Sequence, residues 1–520
     1  MRKVTTDVAV IGAGTAGLAA YRAAKAAGRT ALLIEGGMYG TTCARVGCMP
    51  SKLLIAPAEA AHAVERFAGF GLRGHVAVDG RAVMARVQRE RDRFVGFVTQ
   101  GVDALPAADK LEGYARFVLD TTLAVGDTTV DARAVVIATG SSPAYPVAWN
   151  DLGDRVLTNE NVFELPDLPE SVAVFGPGVI GLELGQALHR LGVRVKVFGR
   201  GGGVGPLSDP GVLAEARRVL GAEFYLDTDA HATVTRAGDR IVVQYRDLSG
   251  EARSESFDYL LAATGRAPNV RNLGLENTSL ALDARGVPAF DRETMQCGAA
   301  PIFIAGDADD DVPLLHEAAD EGRIAGDNAA RFPAVQAGLR RAGLGIVFTD
   351  PQIAVVGGGL RAAQTTKHVT GTVSFDDQGR ARVMQRNRGR LNVYAEVGTG
   401  MLLGAEMLGP DAEYYAESVR RGGALVTVRA DDARAERAAD IMREHDAVDI
   451  ERRAEQWRES GWTGWNERAA PYTSEEIDRN RDLYGATDRT TGLAGGMEGD
   501  RTNAETVAGR ESAPPRVRTY

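Results

Sequence analysis

The chain has 520 residues, 44% of them hydrophobic and 25% charged, with a net charge of −10. That length is too great for one core and predicts about three or four domains. The acidic balance gives no electrostatic reason to bind nucleic acid or an anionic membrane. No apolar run approaches the ~18 residues a transmembrane helix needs. The first run, Val8 to Ile11, leads into a glycine-rich turn and reads as a buried strand, not a signal peptide. A cytoplasmic protein is expected.

From the N-terminus, Thr6 to Ile11 is a strand. Gly12-Ala13-Gly14-Thr15-Ala16-Gly17 opens an alanine-rich helix through Ala27, and Thr30 to Ile34 is the next strand, with Glu35 at its end. This is a βαβ unit with a dinucleotide fingerprint. Gly12 permits the tight turn, Gly14 lets the backbone approach a pyrophosphate, and Gly17 lets helix and strand pack. The helix N-terminus offers N–H groups to the phosphates. Glu35, 23 residues after Gly12, is placed to accept hydrogen bonds from a ribose diol. A lone glycine motif is weak evidence, but strand, motif, helix, strand and terminal Glu together are specific.

The pattern recurs. Ser171 to Phe175 is a strand, Gly176-Pro177-Gly178-Val179-Ile180-Gly181 opens a second helix, and Val193 to Phe198 follows. Two units imply two dinucleotide sites. Ala138-Thr139-Gly140 and Ala263-Thr264-Gly265 each end an apolar strand and read as paired crossover points between domains. Ile302 to Ala305 is another buried strand, ending in Gly306-Asp307. From Ile346 to about Leu408 the pattern is strand-like, with turns at Asp376-Asp377-Gln378-Gly379 and Gly398-Thr399-Gly400. Past Asp411 the character changes. Leu425 to Val428 reads as a short strand and Asp431 to His445 as a charged amphipathic helix. A Trp-rich stretch follows, and the residues from about Thr487 have almost no core formers, which predicts disorder.

Three cysteines occur, Cys43, Cys48 and Cys297. In a reducing compartment a close pair suggests metal or redox chemistry rather than a structural disulfide. Metal is disfavoured, because zinc usually takes four ligands and no histidine is near the pair in sequence. Cys43 and Cys48 can approach around one distorted helical turn. They follow the first βαβ unit by a few residues, which would place them close to a flavin bound there if the helix runs under the isoalloxazine ring. Lys52 would favour anionic thiolate and flavin. Cys297, alone, reads as a small buried hydrophobe.

The segment Gly40 to Lys52, with Pro50-Ser51-Lys52 behind the cysteines, together with both fingerprints, both Ala-Thr-Gly turns, Ile304-Ala305-Gly306-Asp307 and the run Leu314 to Arg323, resembles the class I pyridine nucleotide–disulfide oxidoreductases. Within them it is most similar to bacterial dihydrolipoyl dehydrogenase, over about the first 410 residues. The resemblance implies an α/β fold of two Rossmann-like domains. FAD would bind in residues 1–145 and 270–335, and NAD or NADP in 146–269. A truncated α+β interface domain would follow over 336–412. Cys43 is then the interchange thiol that meets the dithiol, and Cys48 the charge-transfer thiol beside the flavin. Lys52 pairs with Glu183, Asp307 holds the ribityl chain, and Gly113 lies near the adenine. Thr42, Thr139, Gly140, His316 and Gly265 complete the implied cofactor contacts. The implied substrate is a dithiol, a lipoyl group suspected, and the implied assembly a homodimer.

Two departures limit these implications. Counting 23 residues from Gly176 lands on Gly199, so the ribose carboxylate of an NAD site is missing and Arg200 is adjacent. Two readings stand: relaxed or NADP-directed specificity, with Arg200 accommodating a 2′-phosphate, or an Arg200 in solvent with NAD still bound. The family's His-Pro acid–base motif is also missing, and His445 reads as a solvated surface residue. Residues 413–486 resemble instead a small bacterial general-stress-protein module, α/β in character, ahead of a disordered 487–520. The leading reading is a dihydrolipoyl dehydrogenase-like enzyme. A mercuric reductase-like enzyme is disfavoured because no second cysteine pair lies near the C-terminus. The alternative is a non-catalytic or diaphorase-only flavoprotein with a stress-related interaction tail.

Overall fold

The computed structural model describes residues 2–340 and 342–420. The expected strand, helix and tail beyond 420 lie outside the described residues. The chain divides into two units, 1–373 with 388–423, and 374–387 with 424–520.

In the first unit, the N-terminal strand Arg2–Ile11 pairs in parallel with Ala31–Glu35 on one side and Thr128–Ile137 on the other. Val8, Ala9, Val10, Leu33 and Ile34 are fully buried, as a strand covered on both faces requires. The helix Thr15–Ala26 packs against the helix Leu315–Arg331. Small residues permit this contact: a Cβ on Gly322 would lie 2.2 Å from the Ala16 carbonyl oxygen, and one on Gly326 2.3 Å from that of Ala20. The strand Ile302–Ile304 joins the same sheet beside Thr128–Ile137, so the chain returns to its first domain after building the second.

The second sheet is wholly parallel, in the order Tyr225–Asp227, Arg194–Phe198, Ser171–Phe175, Tyr259–Ala262, Val156–Leu157. Its crossing helix is Val179–Arg190. The two halves repeat each other bond for bond. Gly12 N donates to Ile34 O and Gly176 N to Phe198 O, both at 2.8 Å. Ala138 N donates to Ile11 O and Ala263 N to Phe175 O, again both at 2.8 Å. The expected crossovers do pair, because the residues after the two Ala-Thr-Gly turns form an antiparallel ribbon, Ser141–Pro143 with Arg266–Pro268.

The interface region is an antiparallel sheet in the order Leu344–Val347, Gln352–Val356, Leu402–Gly409, Arg390–Glu396, with an edge strand beginning at His368. It is less uniformly extended than its sequence suggests. A helix, Gly359–Ala363, interrupts it after glycines with positive φ. In the second unit the expected turn at 376–379 leads into a helix, Gly379–Val383, because the Gln378 side chain accepts from Ala381 N at 2.5 Å and caps it. Among the described residues no helix is long and apolar enough to cross a membrane.

Candidate active site

The cysteines do not share one helical turn. Cys43 lies in the short helix Thr42–Val46 and Cys48 opens the helix Cys48–His62, with Gly47 between them at φ −127° and ψ −118°. A Cβ on Gly47 would meet Thr42 O at 3.0 Å, so the turn closes tightly on itself. Thr41, which accepts from Ala44 N at 3.2 Å, sits at φ 56°. That is a costly conformation for a β-branched residue, and it persists only where neighbours enforce it. Cys48 stands at the N-terminal end of its helix, where the helix dipole favours a thiolate. Both cysteines are partly exposed. Cys297, by contrast, is fully buried in the core below the first sheet, and burial pushes its thiol far up.

One turn along the same helix, Lys52 Nζ donates to both oxygens of Glu183, at 3.0 and 2.9 Å. Glu183 is 4% exposed, on the helix Val179–Arg190 of the second sheet. Its carboxylate also accepts from Ser51 Oγ at 2.6 Å and from Phe348 N at 3.0 Å. Lys52 lies 4.3 Å from the centre of the Phe348 ring. A buried carboxylate is tolerable only when so surrounded by donors. Sequence reasoning found the Lys52–Glu183 pair through the family resemblance. It gave Ser51 no role and had no signal for the Phe348 amide. Glu413, on the helix Ala412–Arg420, was also missed; burial pushes its carboxyl up against the opposing pull of Lys52.

The first fingerprint is built to approach phosphate. A Cβ on Gly12 would lie 2.3 Å from Ala138 O, and one on Gly17 only 1.8 Å from Gly12 O, while Gly14 faces open space. Glu35 accepts from Ala13 N at 2.7 Å and Gly37 N at 2.8 Å, which leaves lone pairs for a ribose. Gly113 bonds its N–H to Glu35 O at 2.8 Å and has φ 142°. Thr139 Oγ1 is buried with no partner in the protein, as expected of a group that serves a cofactor. Gly140 follows at φ 65°. Asp307 is held by Ser141 Oγ at 2.6 Å. His316, half-buried, lies in the first turn of Leu315–Arg331, and Thr42 is exposed at the start of the cysteine helix. These residues fit FAD.

The second fingerprint has the same cradle. A Cβ on Gly176 would lie 2.2 Å from Ala263 O and one on Gly181 1.9 Å from Gly176 O, with Gly178 open and Gly265 at φ 130°. Arg200 is exposed beside buried Gly199. Among the described residues no group of three or more His, Cys, Asp and Glu is arranged to hold a metal.

Two dinucleotide folds with a cysteine pair at the end of the first and a lysine clamped to the second define a flavin- and nicotinamide-linked oxidoreductase that acts on sulfur. Residues 6–322 match the family model of the pyridine nucleotide-disulphide oxidoreductases and residues 344–435 that of their dimerisation domain. The chain belongs to this family and is an FAD-dependent, NAD(P)-linked disulfide oxidoreductase. It is 32% identical over 434 residues to dihydrolipoyl dehydrogenase 3 of Pseudomonas aeruginosa, covering 78% of this chain and 88% of that protein. It is also 32% identical to mercuric reductase of Acidithiobacillus ferrooxidans, covering 78% and 75%. Among solved structures, the HOCl-induced flavoprotein disulfide reductase RclA of Escherichia coli superposes with a TM-score of 0.66 at 23% identity, over 80% of this chain and 92% of that one, a likeness of fold. The match to the dimerisation model supports a homodimer and, with the relatives, a dithiol substrate in general.

Proposed function

We propose that the chain oxidises a lipoyl-type dithiol through Cys43 and Cys48 and delivers the electrons to NAD or NADP. The observation that carries the reading is the Lys52–Glu183 clamp. It ties the helix that begins at Cys48 to the helix that opens at the second fingerprint. Several relatives are dihydrolipoyl dehydrogenases, which favours a lipoyl group as the dithiol.

In this reading the dithiol loses two electrons and two protons, NAD(P)⁺ takes up one hydride, and the second proton leaves to solvent. With Cys43 and Cys48 joined as a disulfide, one substrate thiolate attacks the Cys43 sulfur, which forms a mixed disulfide and releases Cys48; the second substrate thiolate then displaces Cys43 and closes the substrate disulfide. Cys48 receives the electron pair as a thiolate, stabilised by its helix N-terminus and by Lys52. FAD, held by Gly12, Gly14, Gly17, Glu35, Thr139 and Asp307, supplies hydride transfer when bound. Lys52, oriented by Glu183, holds positive charge beside the reacting groups. Gly176, Gly178 and Gly181 receive the nicotinamide coenzyme's pyrophosphate. A cytoplasmic setting, where the cysteine pair cycles against reducing thiols, agrees with this use.

A second reading is favoured by one observation. No histidine in the sequence is followed by proline. Acid–base help from such a residue is typically worth ~10²–10⁴ in rate. Without it, dithiol oxidation is slowed far more than dye reduction by a reduced nicotinamide, and the chain acts as a diaphorase or as a flavoprotein platform for an interaction tail. The test is anaerobic reduction of NAD and NADP by dihydrolipoamide, with dye reduction by NADH and NADPH alongside. Dithiol-dependent turnover that disappears in Cys43→Ala supports the first reading. Dye reduction without dithiol turnover replaces it with the second.

A further inference from the structure

The carbonyl groups in the last turn of a helix have no partner within it and must find one elsewhere. The cysteine helix Thr42–Val46 ends at Gly47, and the Val46 carbonyl, which lies between the two cysteines in the chain, is one such group. It is capped from another domain: Asn159 Nδ2 donates to Val46 O at 2.8 Å. Asn159 follows the strand Val156–Leu157 and is 5% exposed.

The other side of that amide is also engaged. Arg266 Nη1 donates to Asn159 Oδ1 at 3.1 Å. The same guanidinium forks onto Ser141, with Nε on its Oγ at 2.7 Å and Nη2 on its carbonyl at 2.5 Å. Ser141 Oγ in turn donates to Asp307 Oδ2 at 2.6 Å, and Arg266 Nε stands 3.8 Å from the same oxygen. An unbroken polar chain therefore runs from the turn between the cysteines, through Asn159, Arg266 and Ser141, to Asp307. Its central members sit on the crossover ribbon Ser141–Pro143 and Arg266–Pro268 and on the segment that precedes the second fingerprint.

We propose that Asn159 and Arg266 are positioning residues that set the distance between the Cys48 sulfur and the flavin, by tying the cysteine turn to the residue that holds the ribityl chain. The inference rests on the assignment of Asp307 and Cys48 made above. A donor amide on one oxygen of the turn and a planar fork on the ribbon have few degrees of freedom, so the relay fixes the turn more closely than apolar packing does. Errors of about 1 Å in such placement cost ~10²-fold in rate.

The experiment is anaerobic two-electron reduction of the full-length holoenzyme, reading the long-wavelength thiolate–flavin charge-transfer absorbance, in wild type, Cys48→Ser, Asn159→Asp and Arg266→Lys. Asn159→Asp keeps the acceptor for Arg266 and removes the donor to Val46. Arg266→Lys keeps the charge near Asp307 and removes the fork. The expected result is a band in wild type and none in Cys48→Ser. In both relay variants the band falls to less than about half and the dithiol-dependent kcat drops ~10- to 100-fold, with FAD content and the nicotinamide KM unchanged. A purely structural role would move FAD content or thermal midpoint instead, and that result overturns the proposal. So does a wild-type band and kcat in both variants, which leaves the Cys48 assignment standing. No band in wild type overturns that assignment and the relay together. Should Asn159→Asp not fold, Arg266→Lys decides with the same outcomes.

Discussion

Gly199 lies against Pro177: a Cβ at residue 199 would come 2.7 Å from Pro177 Cγ and 2.8 Å from Thr228 O. The position where an NAD site carries its ribose carboxylate therefore has no room for a side chain, and the proline inside the second fingerprint is part of the reason. Gly199 is bonded in place from both sides, N to Asp227 O at 2.7 Å and O from Ala230 N at 2.9 Å.

Coenzyme choice follows from that contact. Gly199→Glu alone is expected to weaken both NADH and NADPH, because the backbone must shift to admit it. Pro177→Gly with Gly199→Glu removes the ring contact but leaves Thr228 O 2.8 Å from the new Cβ, so the ratio of kcat/KM is expected to move towards NADH by less than the about tenfold worth of one charged hydrogen bond. Arg200→Ala is expected to raise the KM for NADPH and leave that for NADH alone. Steady-state kinetics with both coenzymes checks all three. An Arg200→Ala enzyme with unchanged NADPH kinetics means that Arg200 lies in solvent and takes no part.

The two fingerprints can be separated by one methyl group each. Gly17→Ala would set a carbon 1.8 Å from Gly12 O, and Gly181→Ala one 1.9 Å from Gly176 O. Contacts that short cannot be absorbed by a rotamer change, and the turn itself must open. Gly17→Ala is expected to purify without flavin. Gly181→Ala is expected to keep its flavin yet show no reduction by NADH or NADPH, while chemical reduction still proceeds. Flavin absorbance and stopped-flow reduction report the two outcomes.

Replacing Lys52 by Met leaves the buried Glu183 carboxylate with only Ser51 Oγ and the Phe348 amide as donors. Stranding a charge in this way costs about 3 kcal/mol. The expected result is a thermal midpoint several degrees lower, together with slow flavin reduction. Lys52→Met with Glu183→Leu removes both charges and should recover most of the stability without recovering the rate. Calorimetry beside single-turnover kinetics distinguishes the two effects.

A pH dependence is built in near the flavin site. Glu321 is fully buried, accepts from Gly306 N at 2.8 Å and from Arg340 at 2.6 Å, and faces Asp309; Glu317 and Asp311 also reach Arg340. Burial first, and the Asp309 charge second, push Glu321 up to about 8, and burial pushes Asp309 up to about 6. The folded state therefore holds a proton that the unfolded chain releases in the ordinary carboxylate range. Stability from this pair is complete at acid pH and declines as pH rises towards about 8. The thermal midpoint is expected to fall between pH 6 and pH 8.5, and Glu321→Gln should flatten that slope. A wild-type midpoint that rises across this window contradicts the assignment.

Much of this was legible in the sequence because it is local. The six-residue spacing of Gly12-Ala13-Gly14-Thr15-Ala16-Gly17, its repeat at Gly176, and the strands around them fixed both βαβ units, since glycine turns and strand ends are determined within a few residues. Cys43 and Cys48 announced redox chemistry for the same reason. The turn between them was misread as one distorted helical turn, because nothing in Ala44-Arg45-Val46-Gly47 shows that Gly47 divides two helices.

What only the tertiary structure decided are contacts between residues far apart in the chain. That Glu183 collects Ser51, Lys52 and the Phe348 amide and that Asn159 caps Val46 depend on how the domains meet, while the closing of the space at Gly199 by Pro177 and the binding of Asn159 by Arg266 depend on packing within the second domain. The sequence alone set the chemistry, because cysteine, lysine and glycine carry their reactivity and backbone freedom wherever they stand. Folding set which groups share a buried site, because a polar group removed from water must find its partner among whatever the packed elements bring beside it.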